Sequence, residues 1–168
     1  VKHFDIPVYI ENDANAAAYG EFIAGVGRKY DDFVAVTLGT GVGGGVIIHD
    51  KILTGSYHGG AELGHMVIDL NGTLCTCGRR GCWEEFSSAT ALIREAKKAA
   101  IAHPDSKLND LVGGDVEAMN AKIPFDAAQA GDTVAQEVIT WYIDHLAIGL
   151  VNVINIFQPQ AIALGGGV

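Results

Sequence analysis

The chain has 168 residues, of which 49% are apolar and 18% are charged, so it is long enough for one domain with a hydrophobic core and too apolar to be disordered throughout. Its formal net charge of −9 argues against nucleic acid or an anionic membrane as a general partner. The charge does not exclude ATP, because a few backbone N–H groups and one metal ion can bind phosphate within an acidic protein.

The two ends of the sequence indicate a fragment of a longer protein. The chain begins with Val1 rather than Met, and it ends in a strand-like segment that runs into glycines, 164–168. The first ten residues lack the basic flank and the long apolar run of a signal peptide. The most apolar stretch, 146–157, is shorter than the ~20 residues that span a bilayer. We therefore expect a cytoplasmic protein outside the membrane.

Apolar runs and one helix pattern predict a small sheet in the first third of the chain. An alanine-rich stretch predicts a helix from 14 to about 24, which Gly25 and Gly27 end. The predicted strands are, in chain order, Val8–Ile10, Phe33–Leu38, Gly43–His49 and Ile52–Leu53. Tight connections at 39–41 and at 50–51 make the last three strands an antiparallel meander.

A glycine-rich segment from Gly55 to Gly81 follows, and an irregular segment of this length indicates that a ligand or a metal organises it. The predicted helices then cover about Ser88–Ala102, Asn109–Ala121, Phe125–Ala130 and Asp132–Phe157. Pro159 ends the last helix, and Ala161–Leu164 has the pattern of one more strand. Strands, then helices, then a returning strand predict an α/β or α+β sheet domain with helices packed against the sheet.

Three cysteines and a histidine predict a metal site. His65, Cys75, Cys77 and Cys82 supply the three thiolates and one imidazole of a closed, tetrahedral structural zinc site. An odd number of cysteines so close together is typical of a reduced compartment and not of a disulfide scaffold. The alternative is three unrelated buried cysteines, which the polar, glycine-rich surroundings disfavour.

A glycine-rich turn, residues 39–44 (GTGVGG), connects two predicted strands. The run matches G-x-G-x-x-G, but it continues as a strand, whereas a Rossmann loop opens a helix, and no Gly-Lys-Ser/Thr of a P-loop follows. Its bare backbone N–H groups and the Thr40 hydroxyl can bind phosphate oxygens. From these residues alone, an ordinary glycine-rich hairpin turn is an equally good interpretation.

Carboxylates provide the candidate for general-base chemistry. Asp13 lies between a predicted strand and a helix, so it is a candidate N-cap worth about 1 kcal/mol. The same position suits a general base, because sugar hydroxyls are poor nucleophiles at neutral pH. Glu62 and Glu84 flank the cysteine cluster, and alone they have the pattern of solvated surface charges.

Together these motifs resemble the ROK family, which contains bacterial glucokinases, related hexose and N-acetylhexosamine kinases, and sugar-responsive repressors. The stretch 62–84, with its E-x-G-H and C-x-C-G-x-x-G-C-x-E motifs, looks like the sugar-and-zinc signature of the family. The segment 11–15 (ENDAN) resembles the one that carries the catalytic aspartate. Residues 38–45 (LGTGVGGG) are similar to the second phosphate loop, and 164–167 (LGGG) resemble the start of the adenosine-binding stretch.

The resemblance implies an actin/hexokinase-like (ribonuclease H-like) α/β ATPase fold with ATP and a hexose in a cleft between two lobes. It implies that Asp13 deprotonates the 6-hydroxyl, that Zn²⁺ is structural and that Mg²⁺ bridges the β- and γ-oxygens of ATP. The implied sugar contacts are Asn12, Asp13, Glu62, His65 and Glu84. The implied phosphate or ATP contacts are Gly39, Thr40, Gly41, Gly43, Gly165 and Gly166. The implied zinc ligands are His65, Cys75, Cys77 and Cys82, with the second ring nitrogen of the histidine directed at the sugar.

The resemblance also implies how the chain is divided. Residues 1–28 would be the end of the N-terminal lobe and the hinge, and 29–168 the larger lobe, truncated at its C-terminus. The first phosphate loop of the family, Asp-x-Gly-x-Thr, is absent from this sequence, so we expect these 168 residues alone to be inactive while still binding zinc. Family analogy implies a homo-oligomer, a dimer or tetramer, for which the long apolar helix from Asp132 offers a surface.

Two other functions remain open from the sequence. A ROK-type repressor shares the sugar and zinc motifs and carries a DNA-binding helix-turn-helix upstream, although Asp13 and the intact glycine loop favour the kinase. A zinc-stabilised interaction module without a small ligand is the third interpretation. Within the kinase interpretation glucose is the default acceptor, with mannose, fructose, allose or N-acetylmannosamine as alternatives, and the donor is ATP or polyphosphate.

Overall fold

The computed structural model describes residues 3, 6–8 and 10–168. The strand predicted at Val8–Ile10 includes Tyr9, which lies outside the described residues. Its neighbours Val8 and Ile10 are exposed and belong to no strand or helix. The described helices are α1 (Asp13–Ala24), α2 (Glu84–Ser87), α3 (Ala89–Ala102), α4 (Lys107–Leu111), α5 (Ile123–Gln129) and α6 (Thr133–Phe157). The described strands are β1 (Phe33–Leu38), β2 (Val42–Ile48), β3 (Lys51–Ile52) and β4 (Ala161–Gly166).

The four strands form one mixed sheet in the order β3-β2-β1-β4. The first three strands are an antiparallel meander, as predicted, and β4 returns to pair in parallel with β1. The register places Leu38 at the end of β1 beside Gly166 at the end of β4. Both strands therefore end at the same edge of the sheet, next to the turn at 39–41 that leads into β2.

The first four residues of β1 are apolar because both faces of the sheet are covered there. Phe33 and Ala35 pack with Ala18 of α1 on one face. Val34 and Val36 pack with Trp83 and with Val153 of α6 on the other face. Neighbouring side chains of a strand point to opposite faces, so this continuous run of apolar residues supplies both layers.

Small residues bring α1 unusually close to the sheet. A Cβ atom at Gly45 would lie 2.3 Å from the Cβ of Ala18, and one at Gly43 would lie 2.9 Å from the Cβ of Ala14. Only glycine at these two positions of β2 allows the alanine face of α1 to contact the strand. This contact fixes the N-terminus of α1 beside the glycine turn.

Helices α3 to α6 form a second core on the far side of the sheet. Its fully buried members include Leu92, Leu108, Ala127 and Ala135. Burial of a leucine side chain is worth about 1.5–3 kcal/mol, so this apolar cluster stabilises the helical layer without help from a ligand.

Two local predictions were wrong. The helix predicted at 109–121 does not form: α4 ends at Leu111, because Gly113 and Gly114 adopt positive φ angles of 61° and 79°, and a single 3-10 turn follows at Val116–Ala118. The turn between β2 and β3 was predicted at 50–51. It lies at 49–50, where both residues have a positive φ, as a two-residue hairpin turn of type I′ requires.

Helix α6 has 25 residues and is, by length and composition, apolar enough to cross a membrane, with a mean hydropathy of 1.3 over the best window. Core helices of soluble proteins pass the same test. In this structure 17% of that window is buried, and one side of α6 packs closely on the sheet core: a Cβ atom at Gly149 would lie 1.9 Å from the indole ring of the fully buried Trp83. The indole Nε1 of Trp83 donates to the carbonyl of His145, one turn earlier, at 3.1 Å.

Candidate active site

A cavity of about 380 Å³ lies where the ends of β1 and β4, the start of α1 and the start of α2 meet. The residues that line it are Asn12, Asp13, Ala14, Thr37, Gly39, Thr40, Gly41, Val42, Gly43, Gly44, Glu62, Glu84 and Gly166. The structure therefore brings together most of the residues that the sequence predicts for sugar and phosphate. Two of the predicted residues, His65 and Gly165, are outside this lining.

The first turn of α1 presents Asp13 to the cavity. The N-cap is Asn12, whose Oδ1 accepts hydrogen bonds from the N–H groups of Ala14 and Asn15 at 2.9 and 3.1 Å. The interpretation of Asp13 as the N-cap is therefore wrong: it is the first helical residue, and, within the described residues, its exposed carboxylate accepts one hydrogen bond, from the N–H of Ala14 at 2.8 Å. Because Asn12 caps the helix, the carboxylate of Asp13 keeps acceptor capacity for a ligand.

Glu11 stabilises the first turn of α1 by hydrogen bonds, a role that the sequence analysis did not predict. Its Oε1 accepts from the side-chain Nδ2 of Asn15 at 3.1 Å and from the N–H of Asn12 at 2.9 Å. The bond from Asn15, followed by the bond from Asn12, lowers the pKa of Glu11. The i,i+4 spacing of Glu11 and Asn15 on a helix start was the available signal.

The glycine turn rests on the segment that begins at α2. Ala89 donates its N–H to the carbonyl of Gly39 at 2.8 Å. The Glu84 Oε2 atom accepts the N–H of Val42 at 3.0 Å. Within the part of the chain that the structure describes, the N–H groups of Thr40 and Gly41 have no protein partner. They are the two donors of this turn that remain available to phosphate oxygens.

The second glycine segment lies directly beside the first. Gly167 donates its N–H to the carbonyl of Leu38 at 2.8 Å. Gly166 has a φ of 124°, and a Cβ atom there would lie 2.1 Å from the Leu38 oxygen, so the close approach of the two segments requires glycine. Gly165 lies toward the neighbouring cavity of about 480 Å³ between β4 and α1.

The four predicted zinc ligands converge, with all their ligand atoms within 4.8 Å of one another. The Nδ1 of His65 lies 3.7 Å from the Sγ of Cys75, and the Sγ atoms of Cys77 and Cys82 are 3.5 Å apart. Two sulfur atoms that bind one zinc ion at about 2.3 Å each, at the tetrahedral angle, lie about 3.8 Å apart. The donor set and its spacing therefore fit a tetrahedral Cys₃His site, and Nε2 is the histidine nitrogen that would remain for another contact.

Backbone turns hold the cysteines in place. Cys75 donates its N–H to the carbonyl of Arg79 at 2.8 Å, and the N–H of Gly78 bonds back to the carbonyl of Cys75 at 2.9 Å. Gly78 and Gly81 have positive φ angles of 87° and 72°. A Cβ atom at Gly81 would lie 1.5 Å from the carbonyl oxygen of Asp69, so glycine is required there for the loop to fold back on itself.

The thiols of the cluster differ in acidity. Hydrogen bonds from the backbone and then the side chain of Arg79 lower the pKa of Cys77 to about 6. Burial raises the pKa of Cys82 to about 12. A divalent cation binds thiolates and releases their protons, so the pair of pKa values describes the cluster before a metal binds.

A mixed sheet covered by helices, with a glycine hairpin and a carboxylate-bearing helix start at one edge, places the domain in the actin/hexokinase-like class of α/β folds. The chain belongs to the ROK family, whose model matches residues 1–168. It is 45% identical over 161 residues to a glucokinase of Thermotoga maritima, which covers 96% of this chain and 50% of that protein.

Two further comparisons define the range of the family. A crystal structure of a ROK family glucokinase from Streptomyces griseus, in complex with glucose and AMPPNP, matches with a TM-score of 0.90 and 41% identity, covering 99% of this chain and 54% of that chain. The xylose repressor of Bacillus subtilis is 36% identical over 165 residues, covering 97% of this chain and 38% of the repressor. The chain thus spans about half the length of the glucokinases that it matches.

Proposed function

We propose that the protein transfers the γ-phosphate of ATP to the 6-hydroxyl of a hexose, with glucose as the first candidate. One observation carries the proposal: a carboxylate at a helix start, two further carboxylates and a glycine turn with free N–H groups share a single cavity of about 380 Å³. A sugar sensor requires neither a general base nor phosphate donors, whereas a kinase requires both. The similarity to glucokinases supports the same assignment.

In the proposed reaction Asp13 accepts the proton of the 6-hydroxyl while the hydroxyl oxygen forms a bond to the γ-phosphorus. The bond between that phosphorus and the β,γ-bridging oxygen breaks, and ADP leaves. Asn12, Glu62, Glu84 and the Nε2 atom of His65 hold the sugar hydroxyls. Because the side-chain oxygen of Asn12 caps α1, this residue contributes its amide N–H group as a donor to the sugar.

The glycine residues hold the nucleotide. The N–H groups of Thr40 and Gly41 bind phosphate oxygens, and Gly39 and Gly43 keep the backbone on either side clear of side chains. Gly165 and Gly166 begin the surface for the adenosine. Mg²⁺ bound to ATP would neutralise charge on its phosphates. Preorganised donors of this kind stabilise the charge that develops in phosphoryl transfer.

Zinc would be held by His65, Cys75, Cys77 and Cys82 and would act structurally. A closed set of four protein ligands leaves no position for a substrate. The ion would fix the ring of His65 and the path of the loop that carries Glu62. This role of the loop fits the 3-10 turn at Leu63–His65, which places Glu62 at the cavity and His65 at the cysteines.

A second candidate function is the sugar-sensing domain of a repressor, which the 36% identity to the xylose repressor favours. The experiment that separates the two is a coupled ADP-release assay of the full-length gene product across a panel of hexoses and xylose. We expect sugar-dependent ADP release with at least one hexose. Sugar binding without ADP release, together with sugar-dependent DNA binding, would establish the repressor instead. Absence of heat on titration with every sugar would leave a zinc-stabilised interaction module.

A further inference from the structure

The glycine turn is attached to one short segment of the chain, residues 84–90. Three contacts make this attachment: the N–H of Ala89 to the carbonyl of Gly39, the hydroxyl of Thr90 to the carbonyl of Thr40 at 2.8 Å, and the N–H of Val42 to the carboxylate of Glu84. The position of the turn is thus set by α2 and the start of α3, and not by the strands alone.

The carboxylate of Glu84 lies directly against the backbone of this turn. Its Oε2 accepts the N–H of Val42 at 3.0 Å, and a Cβ atom at Gly41 would lie 2.2 Å from that same oxygen. The carboxylate in this position leaves no room for a side chain at 41 unless Glu84 moves away from the turn. Glu84 also lines the cavity, together with Asp13 and Glu62. One side chain thus contacts both the phosphate turn and the space where the sugar is proposed to bind.

The residue before Glu84 fixes the backbone from which the Glu84 side chain projects. Trp83 is fully buried, its Nε1 donates to the carbonyl of His145, and its ring fills the space above Gly149 of α6. The backbone from which Glu84 projects is consequently fixed to the longest helix of the molecule. What can change is the torsion of the Glu84 side chain and the turn that it holds.

We propose that Glu84 couples the two substrate subsites, so that binding of the hexose orders the glycine turn and strengthens binding of the nucleotide. This proposal rests on the proposed function. A carboxylate has two oxygens: one accepts the N–H of Val42, and the other accepts a sugar hydroxyl. A hydroxyl on the second oxygen restricts the side-chain torsions, so less conformational entropy remains to be lost when phosphate orders the turn. The sugar hydroxyl also donates a hydrogen bond to the Glu84 carboxylate, whose negative charge otherwise repels phosphate.

Thr90 allows the effect of the turn to be separated from the effect of the link to the sugar. Its hydroxyl supports the carbonyl of Thr40, yet the lining of the substrate cavity does not include it. Thr90 is therefore a positioning residue for the phosphate turn with no contact to the sugar space. Replacing it weakens the turn in the presence and in the absence of sugar, whereas replacing Glu84 removes the link between the two.

The test measures the dissociation constant of AMPPNP with and without saturating glucose in the full-length gene product. We expect glucose to tighten nucleotide binding in the wild type by about 5- to 150-fold, the usual range of coupling between two sites. In Glu84→Gln the amide oxygen keeps the N–H of Val42, but the second acceptor oxygen is replaced by an NH₂ group that cannot accept a sugar hydroxyl, so glucose should change the AMPPNP dissociation constant by a factor near one. Thr90→Val weakens AMPPNP binding in both conditions and leaves the glucose dissociation constant unchanged.

The matched control is Glu85→Gln, the next residue of the same helix, whose carboxylate binds Arg94 at 3.1 Å. We expect Glu85→Gln to keep the wild-type ratio of the AMPPNP dissociation constants without and with glucose. Hydrogen exchange at the amide of Val42 gives a second readout: glucose slows it in the wild type and has no effect on it in Glu84→Gln. Binding of both ligands with no mutual effect in the wild type, or an unchanged factor in Glu84→Gln, overturns the coupling alone. Failure of the wild type to bind either ligand overturns the proposed function as well.

Discussion

The helical layer, residues 89–157, and the loop segment, residues 53–83, differ in what holds them together. The helical layer buries a contiguous set of apolar side chains, including Leu92, Leu108 and Tyr142. In the loop segment, among the described residues, the buried apolar positions are Leu63, Cys75, Cys82 and Trp83. Two of these four are candidate metal ligands. The loop is held by backbone hydrogen bonds, by glycines with positive φ and by a set of converging ligand atoms.

This difference follows from what each region has to do. The cavity-lining residue Glu62 and the candidate ligand His65 project from irregular backbone, of which Leu63 is the residue buried in the apolar core of the sheet. Segments with little buried apolar surface open at low free energy. We therefore expect the helical layer to be rigid without a metal and the order of the loop segment to depend on metal binding by its converging ligand atoms. The predictions below separate the two regions.

Removal of the metal has the largest expected effect. Apparent free energies of zinc binding in small structural sites are roughly 10–16 kcal/mol, and this is also folding free energy for the segment that carries the ligands. A strong chelator should therefore abolish the protection of amides in 55–83 and leave that of 89–157 intact, as measured by hydrogen exchange and mass spectrometry. Elemental analysis confirms that the ion has been removed. Unchanged protection of the loop in metal-free protein would contradict the comparison.

Truncation of Leu92 tests the helical layer in the same way. The side chain is fully buried, so Leu92→Ala should lower the free energy of unfolding by about 2–5 kcal/mol while zinc content stays at the wild-type value. Urea denaturation measures the first quantity and elemental analysis the second. Ile101→Ala on the same helix is the control: that side chain is 69% exposed, and the expected change is within about 0.5 kcal/mol. Loss of zinc in Leu92→Ala would show that the regions are not independent.

Asp132 joins the starts of α4 and α6, and its removal should have the smallest effect. Its Oδ1 accepts from the N–H groups of Val134 and Ala135, and its Oδ2 accepts the hydroxyl of Ser106 at 2.7 Å. Asp132→Ala should cost about 0.5–2 kcal/mol in urea denaturation at neutral pH. A loss near zero would mean that the cap does not contribute.

The same residue gives a pH dependence with a definite sign. Burial acts to raise the pKa of Asp132, but hydrogen bonds from Ser106 and from the N–H groups of Ala135, Lys107 and Val134 outweigh it, and the pKa is lowered from 3.8. The unfolded state therefore takes up a proton first as the pH falls. The contribution is present above pH 3.8 and is lost as the pH falls through the lower folded value. Below pH 3.8 the wild type should lose stability more steeply than Asp132→Ala.

Local sequence patterns predicted much of the fold and identified most of the residues that line the candidate site. Strand β1 and helix α6 follow from apolar runs and breakers that lie within the segments themselves. The choice between the adjacent cap residues Asn12 and Asp13 did not follow, because both residue types favour the N-cap and the sequence does not show which side chain turns back on the helix. The helix predicted at 109–121 does not form, because Gly113 and Gly114 interrupt it.

The contacts of the glycine turn could not be predicted, because they join distant parts of the chain. Val42 and Glu84 are 42 residues apart, and the intervening segment has no regular pattern that fixes where α2 returns. Their juxtaposition depends on the burial of Trp83 against α6, a tertiary contact with no local signal. The sequence indicated the chemistry of the turn and not its attachment.

The central claim is that Asp13 is the general base of a hexose kinase. The most direct measurement is the turnover number and the glucose dissociation constant of Asp13→Asn, compared with the wild type, in the full-length gene product. Loss of a general base lowers the rate by roughly 10²–10⁴-fold, and the amide keeps the size of the side chain, so we predict that fall in turnover with glucose affinity within a few-fold of the wild type. A turnover within a few-fold of the wild type would contradict the claim.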